Sequence, residues 1–280
     1  MNSAYREVLV NSASEAEYKL SEVFAKHQLF VKNTASVNLR FACASMHDDL
    51  SINFFSYGND VEVHPNCTKE FYLVQVPLRG VGVMCSPRED IEIQPGVIGF
   101  QNPGSIKKNI WNKECDRLVI RITRENLENK ASSLMGCPLS SRLNFSTMAS
   151  LQAPSAKSWF KLVKMVAKFI KEADRNIIND QILKTYSETI QEVLLHSFEN
   201  NYSEAMTRKD AVILPTHIRK ATDYINENYK DPVTLETLSA LTGYSTRSLI
   251  NGFRKFTGMT PKQYLTHVRL KAVREKLTNT

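Results

Sequence analysis

Leu235-Glu236-Thr237-Leu238-Ser239-Ala240-Leu241-Thr242, then Gly243-Tyr244-Ser245, then Thr246-Arg247-Ser248-Leu249-Ile250-Asn251-Gly252-Phe253-Arg254-Lys255-Phe256-Thr257, reads as two short amphipathic helices around a three-residue break. Leu235, Leu238 and Leu241 share one face of the first. Gly243 takes a positive φ without steric cost, and Ser245 is placed to cap the second helix. Thr234 can cap the first, and Gly258 stops the second. Two short helices joined by a tight glycine turn form a helix-turn-helix pattern. At about 100° per residue, Leu249, Phe253 and Phe256 fall within about 60° of arc and form a buried stripe. Arg247, Asn251 and Arg254 stand opposite, with Lys255 at the flank. Arginine forks onto guanine O6 and N7, and asparagine onto adenine N6 and N7, so this face suits a DNA major groove. Thr246, Ser248 and Ile250 complete the presented surface.

The flanks agree. Pro215 suits a first helical position, and Ile218, Ala221, Thr222, Ile225 and Tyr229 give a stripe that ends at Asp231-Pro232. Thr260-Pro261-Lys262-Gln263 is a capping box. It opens a last helix from Pro261 to Leu277, with Tyr264, Leu265, Val268, Ala272 and Leu277 inward. Lys255, Lys262 and Arg269 are placed for phosphates, which position a protein without specifying sequence. Charge follows the same division. The 280 residues carry a net +7, yet residues 211–280 alone hold 11 Lys and Arg against 5 Asp and Glu. A local positive field of that kind fits a polyanion.

Residues 37–123 read differently. Short apolar runs alternate with Tyr57-Gly58-Asn59-Asp60, Arg79-Gly80, Gln94-Pro95-Gly96 and Asn102-Pro103-Gly104, which are turn chemistry. Many short strands at this spacing predict a β-sandwich or barrel. In Arg117-Leu118-Val119-Ile120-Arg121-Ile122 the pattern is that of a half-buried strand, with Leu118, Ile120 and Ile122 inward and Arg121 on the other face. From about 125 the period changes to three and four. Trp159, Leu162, Val163, Val166, Phe169 and Ile170 make one stripe, with lysines largely opposite. Ile178, Ile182, Tyr186, Val193 and Phe198, reinforced by Leu183, Ile190 and Leu194, make a second. The short link between them favours an antiparallel hairpin.

The fold expected is therefore α+β with two domains: an N-terminal β-barrel or sandwich with a helical hairpin, and a C-terminal all-α helix-turn-helix domain. The boundaries are an extension at 1–36, the β domain at 37–124, a helical region at 125–200 that is a candidate for dimerisation, a linker at 201–214, and the helix-turn-helix with its following helix at 215–280. No apolar run approaches the roughly 20 residues of a membrane span, and no secretory pattern opens the chain, so a cytoplasmic protein is expected. The five cysteines are odd in number and never form a C-x-x-C pair, which argues against a disulfide framework or a zinc cage. None of the six histidines forms the His-x-His pair that a metal-dependent barrel enzyme needs. No phosphate loop, dinucleotide fingerprint or Ser/His/Asp pattern appears. Neither an enzyme nor a cofactor is expected.

Residues Leu235 to Ser245, with Arg247-Ser248-Leu249, Phe253, Gly258, Thr260-Pro261, Tyr264 and Arg269-Leu270, resemble the first helix-turn-helix of AraC/XylS-family transcription regulators. Residues Glu70 to Asn126 resemble the cupin-like sensor domain of that family, through Tyr72 to Gly80, Pro95-Gly96, Asn102-Pro103 and Leu118-Val119-Ile120-Arg121. The XylS-like branch is the nearest. The resemblance implies double-stranded DNA, a small-molecule effector, RNA polymerase and a second copy of the chain as partners. It implies a second helix-turn-helix too, which would begin where this sequence ends at Thr280. A single reading head neutralises fewer phosphates and is expected to bind weakly alone. Effector candidates are given by residue type only: Arg40, Arg79 and Lys107 to pair an anion, and Phe54, Phe71, Tyr72 and Trp111 to line an apolar pocket. Two other readings stay open: a dimerisation partner that sequesters full-length copies, and a cupin enzyme with an accessory helical domain.

Overall fold

The computed structural model describes residues 4–32, 36–46, 49–66, 70–174, 176–207 and 215–278. Twelve strands and nine helices are defined among these residues. The chain opens with β1 (Tyr5–Ser12), α1 (Ala13–Ser21) and β2 (His27–Val31). It continues through β3 (Ser36–Met46), β4 (Leu50–Ser56), β5 (Val61–Pro65), β6 (Phe71–Arg79), β7 (Gly82–Cys85), β8 (Asp90–Ile93), β9 (Val97–Gln101), β10 (Lys108–Trp111) and β11 (Asp116–Thr123). Then come α2 (Arg124–Met135), β12 (Met148–Ser150), α3 (Pro154–Glu172), α4 (Asp180–Ser197), α5 (Ser203–Thr207), α6 (Thr216–Glu227), α7 (Leu235–Thr242), α8 (Thr246–Thr257) and α9 (Pro261–Thr278).

Two antiparallel sheets result, one of order β1-β3-β4-β11-β6-β9-β12 and one of order β2-β5-β10-β7-β8. The middle of the larger sheet, β4, β11 and β6, is covered on both faces. On one side Phe41, Phe55, Tyr57 and Val119 join Val61, Met84, Ile93 and Trp111 of the smaller sheet in a single core. On the other side Phe100 stacks on Phe145 and tilts against Phe198, which meets Trp159 of α3 edge-on. The α3–α4 hairpin packs on the larger sheet at β3. In α4 the inward residues are Leu183, Ser187, Ile190, Gln191, Leu194 and Leu195. That stripe is rotated from the one read in the sequence and takes in Ser187 and Gln191, buried together with Gln191 donating to Ser187 at 3.0 Å.

The segment expected as an extension, 1–36, is part of this architecture. β1 pairs with β3, β2 pairs with β5, and Ala16 and Leu20 of α1 enter the core. The sequence pattern alone hid this, since β1 reads Tyr-Arg-Glu-Val-Leu-Val-Asn-Ser and buries only Val10. The strand β11 also departs from the reading above. Ile120 and Ile122 are buried, and so are Arg117 and Val119 on the opposite face. Arg121 is not solvent-facing either: it is half-buried, 5.2 Å from the Phe71 ring centre.

The chain divides into two compact units, Met1–Lys130 with Asn144–Ser203, and Ala131–Leu143 with Glu204–Thr280. The linker read at 201–214 contains α5, and 208–214 lie outside the described residues. The second unit is built on Ile218, Ala221, Ile225, Leu238, Leu249, Phe253, Tyr264 and Leu265. Among the described residues no helix is long and apolar enough to cross a membrane, and Cys43, Cys85, Cys115 and Cys137 are free.

One close approach defines the smaller sheet. Trp111 faces Gly82 across the β10–β7 ladder, and a Cβ on Gly82 would stand 2.0 Å from the indole ring. Only glycine lets the ring lie flat there. Gly82→Ala is expected to push Trp111 out of place and destabilise the protein by about 1–3 kcal/mol, the usual overpacking cost. A lowered urea midpoint with a shifted tryptophan emission is the expected reading; an unchanged midpoint would contradict this packing.

Candidate functional site

The second unit presents α8. Gly243 adopts φ 75° and lets the chain reverse after α7, while the Ser239 hydroxyl donates to the Tyr244 carbonyl at 2.6 Å. His217, in the first turn of α6, stacks on Tyr244 with ring centres 3.9 Å apart and braces the turn. Ser245 accepts from the Ser248 N–H at 3.2 Å, and Thr234 accepts from the Thr237 N–H at 3.2 Å. Gly258, at φ 71°, ends α8. Thr260 and Gln263 then exchange hydrogen bonds of 2.8 and 3.3 Å, the reciprocal box that starts α9.

Leu249 and Phe253 are fully buried, and Gly252 makes room for Ile218 of α6: a Cβ there would meet Ile218 Cδ1 at 2.5 Å. This seating turns Arg247, Ser248, Asn251, Arg254 and Lys255 outward, all exposed, with Thr246 and Ile250 half-exposed. None of Arg247, Arg254, Lys255 or Lys262 has an ion-pair partner among the described residues. Lys255 lies over the Phe256 ring at 5.2 Å, and Arg254 and Lys255 sit in the last turn, where the helix dipole favours cations. Arg269 behaves differently from the phosphate contact expected of it. Its Nε and Nη2 donate to the Tyr229 and Asp231 carbonyls at 2.7 and 2.8 Å, which fastens the α6–α7 connection.

The first unit contains a cavity of about 70 Å³ between its sheets, walled by side chains that include Leu20, Phe24, His27, Phe55, Tyr57, Phe71, Gln75, Gln101, Asn109, Trp111, Arg117 and Val119. Of the effector candidates, Phe71 and Trp111 line it and the others do not. Arg40 and Arg79 both pair with Asp116 on the surface, at 3.4 and 3.6 Å. Lys107 is exposed. Tyr72 points to the helix-covered face, donates to Glu128 at 3.2 Å and meets Phe145 edge-on. Phe54 alternates with the cavity-lining Phe55 and so lies on that same outer face, half-buried. The residue that sequence reasoning missed is Arg117. It is 4 % exposed, and its guanidinium lies 3.8 Å from the Trp111 ring centre. The usable signal was the unbroken Leu118-Val119-Ile120, because a strand apolar on both faces is buried on both faces.

Among the described residues no group of three or more His, Cys, Asp or Glu is placed to hold a metal ion. The fold and the exposed helix thus define a class, a two-part DNA-binding regulator with a sandwich domain ahead of a helix-turn-helix. The comparisons make it particular. Residues 16–195 match the AraC-binding-like domain, and residues 225–266 match the bacterial regulatory helix-turn-helix proteins of the AraC family. The chain belongs to the AraC family of transcription regulators. It is 22% identical over 272 residues to the probable thc operon regulatory protein of Rhodococcus erythropolis, covering 96% of this chain and 82% of that protein. It is 23% identical over 235 residues to XylDLEGF operon transcriptional activator 3 of Pseudomonas putida, covering 84% and 68%. Among solved structures the AraC-like transcriptional activator CuxR shares the fold, with a TM-score of 0.51 at 13% identity, over 97% of this chain and 95% of that one. These relatives are named as regulators or activators of transcription.

Arg247→Ala and Asn251→Ala are each expected to cost about 1–3 kcal/mol of specific binding and to relax preference at one base position. Lys255→Ala is expected to weaken all sequences alike and to flatten the salt slope by about one unit. Anisotropy titrations over a base-substituted duplex set check both; identical behaviour of the three variants would refute the division of this face.

Proposed function

We propose that this AraC-family regulator reads a promoter sequence with the outward face of α8 and that a small-molecule effector held between the two sheets of the first unit controls it. The observation that carries the reading is the exposed row Arg247, Asn251 and Arg254, held out by Leu249 and Phe253 beneath it. Lys255 and Lys262 supply phosphate contacts. The cavity supports the effector part: it is apolar on most sides with a few convergent polar groups, the usual make-up of a ligand site.

Control by an effector requires that it bind one arrangement of the protein better than another. The strand that carries Arg117 leads directly into α2, and α2 passes from the first unit into the second at Ala131. A ligand that shifts β11 therefore acts on a segment continuous with the DNA-binding unit. A homodimer through α3 and α4 is part of the proposal, with Met165 of α3 exposed on the hairpin. Activation rather than repression is favoured by the relatives that are named as activators.

Duplex selection from a random pool followed by anisotropy is the test. A recovered sequence should bind well above random duplex, and log K should fall linearly with log salt, as phosphate-driven binding requires. Equal affinity for all duplexes, or no salt dependence, would remove the reading.

A further inference from the structure

The lysines opposite the buried stripe of α3 form a row. Lys157, Lys161, Lys164 and Lys168 follow at spacings of four, three and four residues and fall within about 60° of arc. All four are exposed, while Ala156, Trp159, Val163, Val166 and Ile170 are buried on the far side of the helix. The row runs about 16 Å along the axis. Its charge is scarcely offset. The ion pairs of α3 are Lys168 with Glu172 at 3.9 Å and Lys171 with Glu7 at 2.7 Å. Among the described residues Lys157, Lys161 and Lys164 have no acidic partner, and Lys164 lies over the Phe160 ring at 4.9 Å.

This arrangement works against the helix. Like charges three or four residues apart repel and weaken it. A lysine in the first turn opposes the helix dipole, and α3 starts with no side-chain cap and no acidic residue there. General basicity does not account for the row. Residues 1–153 hold 16 Lys and Arg against 16 Asp and Glu, whereas residues 154–172 hold 5 Lys against 1 Glu. A linear row of cations fits a linear row of anions. Phosphates recur about every 3.4 Å of axis along one DNA strand, so the row spans about five of them. An anionic membrane fits less well. A helix lying in a lipid surface sets apolar side chains beside its cations, whereas Trp159 is fully buried, Phe160 is half-buried, and Met165 is the one large apolar side chain of α3 that is exposed.

We propose that the α3 row is a second DNA contact, made by the first unit to the phosphate backbone and indifferent to sequence. It rests on the proposed DNA binding of this chain. Phosphate contacts hold a protein on the duplex without selecting bases, so α8 keeps the reading and α3 adds affinity. Met165 lies about 70° round the helix from the middle of the row, which gives a dimer contact at Met165 a separate place.

The test is anisotropy titration of the full chain at salt from about 50 to about 200 mM, on a selected duplex several helical turns long and on a random duplex of equal length. Lys157→Gln/Lys161→Gln/Lys164→Gln is expected to flatten log K against log salt by about 2.7 on both duplexes. Its deficit in affinity then shrinks about 40-fold across that range, and the ratio between the two duplexes stays as in the native chain. The matched control Lys26→Gln/Lys107→Gln/Lys113→Gln removes three exposed lysines from loops before β2, before β10 and after β10, and is expected to leave the slope nearly unchanged. A native slope in the row variant, or the same flattening in the control, would overturn the proposal. A changed sedimentation coefficient of the row variant would overturn it as well, by making the row a subunit contact. So would loss of binding to phosphatidylserine vesicles with the DNA slope intact, which assigns the row to a membrane. If the triple variant does not fold, Lys161→Gln alone decides, with an expected flattening of about 0.9. A native chain that binds both duplexes equally removes the α8 reading and leaves the slope difference to decide the row; a native chain that binds neither removes both.

Discussion

In the middle of the seven-stranded sheet, β4, β11 and β6 are covered on both faces, and that constraint sets the rest of the first unit. A strand in that position cannot use one side for water. Each residue of β11 must be answered either by the second sheet or by the α3–α4 side. Ile120 and Ile122 take the helix side, while Arg117 and Val119 take the space between the sheets. A cation thereby enters a region of low polarisability, where it is held by aromatic faces and by few hydrogen bonds. The same constraint explains Gly82: the gap between the sheets is filled from the far side by Trp111, and the indole fits only because nothing projects from the strand next to it.

The second unit is organised differently. Its core is small, and its shape comes from chain reversals more than from volume. Gly243 and Gly258 reverse the chain at either end of α8, Ser245 and Thr260 satisfy the first N–H groups of the helices that follow, and Arg269 ties down the connection before α7. The stacked pair His217 and Tyr244 adds a brace from α6. The glycines and caps are local, so each leaves a mark within a few residues of sequence, whereas the Arg269 and His217 contacts join positions far apart in the chain.

That difference accounts for what could be read in advance. α7 and α8 were legible to the residue, since Thr234, Gly243, Ser245 and Gly258 state where helices start and stop. The outward row of α8 was legible for the same reason, once Leu249 and Phe253 fixed the inward side. The cavity was not. Arg40 and Arg79 looked available because a sequence does not show that β11 brings Asp116 between them. Arg117 looked like an ordinary polar position because its burial depends on Phe55 and Tyr57, far away in the chain. The contribution of β1, α1 and β2 was invisible for a related reason: edge strands bury few residues and carry little pattern.

The separation between what holds α8 and what α8 displays has an evolutionary consequence. Arg247, Asn251 and Arg254 are exposed and lie outside the small core, whereas Leu249 and Phe253 enter it and Gly252 admits Ile218. Mutational drift can rewrite the displayed positions one at a time without an intermediate that unfolds. On the proposed reading of α8, a lineage carrying this module acquires new target genes at little structural risk, and its binding preferences diversify faster than its architecture.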